Sequence, residues 1–148
     1  MTRWKPTVGC VSTSAPPGSV VIGPVTFRMR LIGPGVDSLS AQAIAVGLKE
    51  IGFSDHAPLV SHDDPRITMN MAQLPVYLKM IEDVRRNNES ELKIKIGLEA
   101  DFIPGFEKLT KAILAGYEYD YIIGSVHFID RWGFDDPAER ESWDQKDV

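Results

Sequence analysis

An α/β fold built on a parallel sheet is what this sequence predicts, and three observations carry that expectation. From Asp37 onward, amphipathic and strand-like stretches alternate as helix, strand, helix, strand, helix, strand, an order that calls for right-handed crossovers between parallel strands. A length of 148 residues suits one domain with a sizeable core. The 43% hydrophobic and 25% charged fractions are those of ordinary globular chains, which argues against a fully disordered, collagen-like or coiled-coil protein.

Residues 1–36 stand apart as an irregular segment. They hold five of the ten prolines and five glycines, too many for a long helix. They also carry Arg3, Lys5, Arg28 and Arg30 without an acid, a charge of +4 that leaves −9 for the rest of the chain. Val20–Ile22 and Val25–Leu31 are candidate short strands. From Ser38, a candidate N-cap, the positions Ala41, Ile44, Ala45 and Leu48 make one helical face. Glu50–Ser54 reads as a strand stopping at Asp55, His56, Ala57 and Pro58. Leu74, Leu78, Ile81 and Val84 mark a second helix, with Pro75 tolerated in its first turn and Asn87–Asn88 closing it. Leu92, Ile94, Ile96 and Leu98 alternate with Lys93, Lys95 and Gly97, the period of a strand that ends at Glu99, Ala100 and Asp101. Pro104-Gly105 opens a third helix, with Phe106, Leu109 and Ile113 expected inward and Gly116 as its C-cap. Tyr119–Val126 is a nearly continuous apolar run, the pattern of a strand covered on both faces.

Several function classes are disfavoured. Sixteen basic against 21 acidic residues give a net charge of −5, the wrong sign for life on nucleic acid or an anionic membrane. No stretch approaches the roughly 20 apolar residues of a membrane span, and Ser12, Thr13, Ser14 and the Pro16-Pro17 pair interrupt any signal-peptide core. A lone Cys10 cannot form an internal disulfide, which points to a reducing cytoplasm.

In parallel α/β folds, sites form at the carboxyl ends of strands. Each of the three predicted strands ends in a potential metal ligand: His56, Glu99 and His127. Two imidazoles and a carboxylate suit zinc, manganese or iron with room for water and substrate. Plainer readings exist for each neighbour. Glu99 or Asp101 could cap the following segment, Asp55 could close an Asx-turn before Pro58, and His62 beside Asp63 and Asp64 looks solvated.

The motifs at these strand ends resemble the polymerase and histidinol phosphatase (PHP) family. They are Gly47-Leu48-Lys49-Glu50-Ile51-Gly52-Phe53-Ser54-Asp55-His56-Ala57-Pro58, Gly97-Leu98-Glu99-Ala100-Asp101-Phe102-Ile103-Pro104-Gly105 and Ile123-Gly124-Ser125-Val126-His127-Phe128-Ile129-Asp130. Three motifs in order make a specific match, and Trp132-Gly133-Phe134-Asp135-Asp136-Pro137 is similar to the histidinol-phosphatase branch. The resemblance implies a distorted, TIM-like (β/α)7 barrel with divalent metals at its strand ends. It implies His56, Glu99 and His127 as metal ligands that act in catalysis through a metal-activated water, with Asp55 and Asp101 as candidates for supporting them. The implied cofactors are Zn, Mn or Fe. The implied reaction is hydrolysis of a small phosphate monoester, L-histidinol phosphate, in histidine biosynthesis, with no nucleic acid or membrane as partner.

The chain departs from the family in two places. The first family strand carries His-x-His roughly where this sequence has Val25-Thr26-Phe27-Arg28-Met29-Arg30, and both histidines are absent. The family also continues past the third motif to an Asp-x-His pair. Residues 1–36 are therefore expected to hold an altered first strand and residues 37–148 an incomplete PHP domain, with fewer metals than a full cluster and little or no turnover. Two readings of other classes stand beside this one. One is a non-catalytic remnant that binds a partner through an unfinished barrel edge. The other is a PHP phosphoesterase with another substrate, as in PHP domains attached to DNA polymerases, against which the acidic balance weighs.

Overall fold

A computed structural model describes residues 19–22, 35–62, 64, 67–130 and 132–145. Four strands, β1 (Ser19–Ile22), β2 (Glu50–Phe53), β3 (Lys93–Asp101) and β4 (Tyr121–Ser125), form one sheet in the order β1-β2-β3-β4, all parallel. Helices α1 (Gly35–Ala45), α2 (Leu74–Asn87) and α3 (Glu107–Leu114) fall between successive strands, as the alternation predicts. β1 covers the first of the two candidate N-terminal strands; Val25–Leu31, with Thr26 and Arg28, lies outside the described residues. A two-stranded antiparallel hairpin, β5 (Phe128–Ile129) and β6 (Trp132–Gly133), follows β4 and leads into a 3-10 helix over Pro137–Gln145.

The helices differ from expectation in their registers. α1 starts at Gly35, so Ser38 lies inside it rather than capping it, and its buried residues are Val36, Ser40 and Ala43, while Ala41 and Ala45 are exposed. The i, i+4, i+7 series from Val36 is the one turned inward, with Val36 and Ala43 joining the core. Gly47 ends the helix in a left-handed conformation (φ 81°), its amide donating to the Ile44 carbonyl, the geometry that favours glycine. α2 follows its prediction more closely. A reciprocal Asn70–Gln73 box precedes it, Asn70 Oδ1 accepting the Ala72 and Gln73 amides while Gln73 Oε1 accepts that of Asn70. Leu74, Tyr77, Ile81 and Val84 are buried.

The core lies between the sheet and α1 and α2, where Ile51, Phe53, Ile94, Ile96 and Leu98 meet Tyr77, Ile81 and Val84. Tyr77 fastens the sheet at the point where the assigned β2 ends. Its hydroxyl donates to the Gly97 carbonyl at 2.8 Å and lies 3.2 Å from that of Phe53. The register runs unchanged across this gap, from Phe53 opposite Ile96 to a bridge between His56 and Glu99. On the other face, the Tyr121 ring lies over Gly97 and Gly52. A Cβ at Gly97 would sit 2.3 Å from that ring, and one at Gly52 2.8 Å from its hydroxyl oxygen.

The last strand and helix correct the sequence reading. β4 is not covered on both faces: its residues alternate between half-buried and exposed, with Ile122 42% accessible. Among the described residues no strand pairs with its far edge. α3 buries no residue fully, and Leu109, expected inward, is 54% exposed. Ile113, as expected, and Leu114 make its contact with the core, with Tyr117 packing there just beyond the helix, and Phe106 packs beside Leu59, Ile103 and Phe128. The C-cap is Ala115, one residue before Gly116.

Candidate metal centre

Strand register brings the site together. In parallel neighbours, residues in register point to the same face, and residues two apart along a strand share a face. Glu99 bridges His56, and Asp101 pairs with Ser125. His127 stands two residues beyond Ser125, so three strand ends present His56, Glu99, Asp101 and His127 toward one spot. That is the carboxyl end of a parallel sheet, where the sequence placed it.

The distances describe a cluster with polar capacity to spare. Glu99 Oε1 lies 3.6 Å from His56 Nδ1 and 3.9 Å from His127 Nε2, between the two imidazoles and beyond hydrogen-bonding distance of either. Asp101 Oδ2 is 4.0 Å from His56 Nδ1, and Asp101 Oδ1 lies 2.5 Å from His127 Nδ1. Ser125 Oγ donates to the same Asp101 oxygen at 2.9 Å. The two imidazoles stand 5.4 Å apart in an edge-on arrangement. His56, Asp101 and His127 each offer a donor atom within 4.8 Å of the others.

This donor set fits a divalent cation. His56 Nδ1 and Glu99 Oε2 are buried without a hydrogen-bond partner, and Glu99 is only 4% exposed. Buried polar atoms normally find partners because leaving them unmet costs roughly 1–3 kcal/mol each. A cation among these donors would give His56 Nδ1 the partner it lacks, with the buried Glu99 carboxylate beside it. Asp101 also acts on His127 as carboxylates act on metal-binding histidines, taking Nδ1–H so that Nε2 presents its lone pair.

Of the residues singled out in the sequence, His56, Glu99 and His127 are brought together, and Asp101 stands as an equal member of the group. Asp55 sits beside it in another role. Its side chain accepts the His56 amide at 2.8 Å and its carbonyl accepts that of Glu99 at 2.9 Å. Burial, and to a lesser degree the charge of Glu99, push the Asp55 carboxyl up to about 7 despite that amide. Burial first, then the Asp55 charge, raise the nearby Tyr77 hydroxyl well above its ordinary value. His62 does not join the cluster: it is exposed, with Nδ1 2.9 Å from Ser61 Oγ and its ring edge-on to Phe128 at 6.4 Å. The structure adds one residue that the sequence marked only as part of the Trp132–Pro137 motif, unconnected with the site. Asp135 Oδ2 lies 4.0 Å from His127 Nε2, returned there by a hairpin that no periodicity reveals.

Parallel strands whose carboxyl ends gather two imidazoles and two acids define an α/β domain with a candidate divalent-metal centre. The PHP domain family matches residues 35–147, and the chain belongs to that family. A Deinococcus radiodurans protein named "Probable histidinol-phosphatase" is 38% identical over 106 residues, covering 72% of this chain and 41% of its own. The histidinol-phosphatase of Bacillus subtilis is 35% identical over 95 residues, covering 60% of this chain and 35% of its own. The crystal structure of a histidinol phosphate phosphatase from Lactococcus lactis, complexed with zinc, L-histidinol and phosphate, superposes with a TM-score of 0.56 at 29% identity, covering 65% of this chain and 35% of that one. The chain thus spans about two fifths or less of the length of these relatives. No helix among the described residues is long and apolar enough to cross a membrane.

Proposed function

We propose that this chain is part of a metal-dependent phosphoric monoester hydrolase acting on L-histidinol phosphate, and that His56, Glu99, Asp101 and His127 are its metal-holding residues. The observation that carries the reading is the convergence of these four side chains at neighbouring strand ends, with His56 Nδ1 and Glu99 Oε2 buried and unsatisfied. Zinc, manganese and iron all suit the donors; the zinc of the Lactococcus lactis complex favours zinc. The complete fold is a distorted (β/α)7 barrel, of which residues 37–148 supply an incomplete PHP domain and residues 1–36 an irregular segment with an altered first strand. Without imidazoles at Thr26 and Arg28, this chain holds one or two cations rather than a full cluster. A cytoplasmic setting agrees with the lone Cys10 and the acidic balance.

A divalent ion at this centre supplies positive charge for the phosphoryl oxygens and lowers the pKa of a water positioned for attack. The chain's own residues prepare that centre. Asp101, steadied by Ser125, fixes the tautomer and orientation of His127. The bridge between His56 and Glu99 holds the imidazole and the carboxylate in register, and the Asp55 carboxylate anchors the His56 amide. In the hydrolysis, the water oxygen forms the new bond to phosphorus as the ester bond breaks, and the proton that water gives up ends on the departing alcohol.

The test is phosphate release from L-histidinol phosphate by this chain with added zinc or manganese, beside a His127→Ala variant. Activity in the wild type that falls at least a hundredfold in the variant supports the reading. Equal background rates in both sink turnover by this chain. A second reading, a non-catalytic remnant that binds a partner, draws on the accessible Ile122 and on Val126, which is 55% exposed. It gains if the chain releases no phosphate and self-associates in light scattering.

A further inference from the structure

Asp135 is a carboxylate beside the metal centre on a segment distant from the sheet. It reaches that position by a rigid route. Asp130 takes a left-handed conformation (φ 56°) at the turn between β5 and β6, a backbone state that Asp tolerates better than most residues. The strands then pair Phe128 with Gly133 and Ile129 with Trp132, and the Phe134 amide donates to the His127 carbonyl at 3.1 Å. The chain therefore returns to His127 eight residues after leaving it. Trp143, from the 3-10 helix, pins the return: its indole N–H donates to the Phe134 carbonyl at 2.9 Å, and its ring lies edge-on to Trp132 at 4.8 Å and to Phe134 at 6.2 Å.

The two nitrogens of His127 keep different company. Nδ1 is taken by Asp101 at 2.5 Å, whereas Nε2 faces Glu99 Oε1 at 3.9 Å and Asp135 Oδ2 at 4.0 Å. These separations are too long for hydrogen bonds. They match donors that share one ion, which lie about 3.4 to 4.2 Å apart when each is roughly 2.1 Å from the metal. With Glu99 and Asp101, Asp135 brings three carboxylates to two imidazoles, an arrangement that repels itself until a cation arrives.

We propose that Asp135 is a further oxygen ligand of the centre, sharing with His127 Nε2 and Glu99 a divalent cation. Binding that ion then also fastens the hairpin and the 3-10 helix over the strand ends. The inference rests on the metal-centre reading above and assigns to it a residue outside the three strand-end motifs.

The test is titration of the chain with Zn2+ and with Mn2+, reading affinity by calorimetry and protease protection of residues 132–145 with and without the ion. Asp135→Asn should weaken binding about tenfold or more and abolish metal-dependent protection of that segment. Asp130→Asn, which removes the same charge from the same hairpin while tolerating the same backbone, should bind and protect as the wild type does. Asp135 is 58% exposed in its side chain, so Asp135→Asn should fold normally, which an unchanged melting temperature without metal would check. Wild-type affinity and protection in Asp135→Asn would overturn the inference while leaving the centre standing. Equal weakening in Asp130→Asn would overturn it too, reducing Asp135 to one charge among several. A wild type that binds neither ion would overturn the centre and the inference together.

Discussion

The two sides of the sheet are finished to different degrees. Toward β2, the sheet is closed by α1 and α2, and Ile51, Ile81, Leu92, Ile96 and Leu98 are almost wholly buried. Toward β4, α3 buries nothing fully, and Phe102, Leu109, Ile122 and Val126 remain exposed. The candidate centre straddles the seam. His56, Glu99 and Asp101 belong to the packed side, and His127 follows the half-open strand. Stability should thus be concentrated on one side and metal-dependent change on the other.

The largest test of that contrast is truncation in each half, followed by chemical denaturation. Ile81→Ala should cost about 3–4 kcal/mol, as filled core positions do, whereas Leu109→Ala should cost under about 0.5 kcal/mol, as at an exposed site. Comparable losses at both positions would erase the distinction. Next is Gly97→Ala, which sets a methyl group against the Tyr121 ring and should cost about 1–3 kcal/mol. In a Tyr121→Val background the same change should cost clearly less, since the two sites are in contact; strict additivity would show that the ring is not what demands glycine. Tyr77→Phe should lose about 1 kcal/mol by removing the hydroxyl between β2 and β3, with the melting curve as its readout.

The smallest expected effect is a pH dependence at the amino end of β4, next to β3. There Asp120 accepts the Ile96 amide at 2.8 Å and pairs with Arg85 at 2.6 Å and Lys95 at 3.3 Å. Burial opposes its ionisation, but the amide and the two cations outweigh that and hold the carboxyl below its ordinary 3.8. A carboxyl lowered on folding contributes stability above the unfolded value and loses it as pH falls through the folded one. Asp120→Asn should therefore cost about 1 kcal/mol or less near neutrality, given solvent screening of the pairs. The gap from wild type should close as pH drops below 3.8, the ordinary value. A gap that persisted at pH 2 would contradict the assignment.

Much of this was legible in the sequence because strand ends are punctuated. The alternation of Leu92, Ile94, Ile96 and Leu98 announces β3, and the polar residues that stop each apolar run are His56, Glu99 and His127 themselves. Other features depended on what lies outside the local pattern. The Tyr119–Val126 run is apolar on both faces, yet composition cannot say whether a second layer covers it. Leu109 has helical spacing with Phe106 and Ile113, but α3 is short and turns its Ile113–Leu114 side to the core. Asp101 could be read as a cap or a supporting acid; alternation puts it on the face of Glu99, and only register across the sheet sets it opposite Ser125 and beside His127. Asp135 was out of reach, because its place depends on a hairpin closing between His127 and Phe134.

The central claim, that neighbouring strand ends form one divalent-metal centre, is tested most directly by titrating the chain with Co2+ and following visible absorption, which reports the donors and geometry around the ion. The account predicts saturable bands at one or two ions per chain, altered in shape in His127→Ala and His56→Ala and weakened in Glu99→Gln. Bands absent from the wild type, or identical in all three variants, would contradict it.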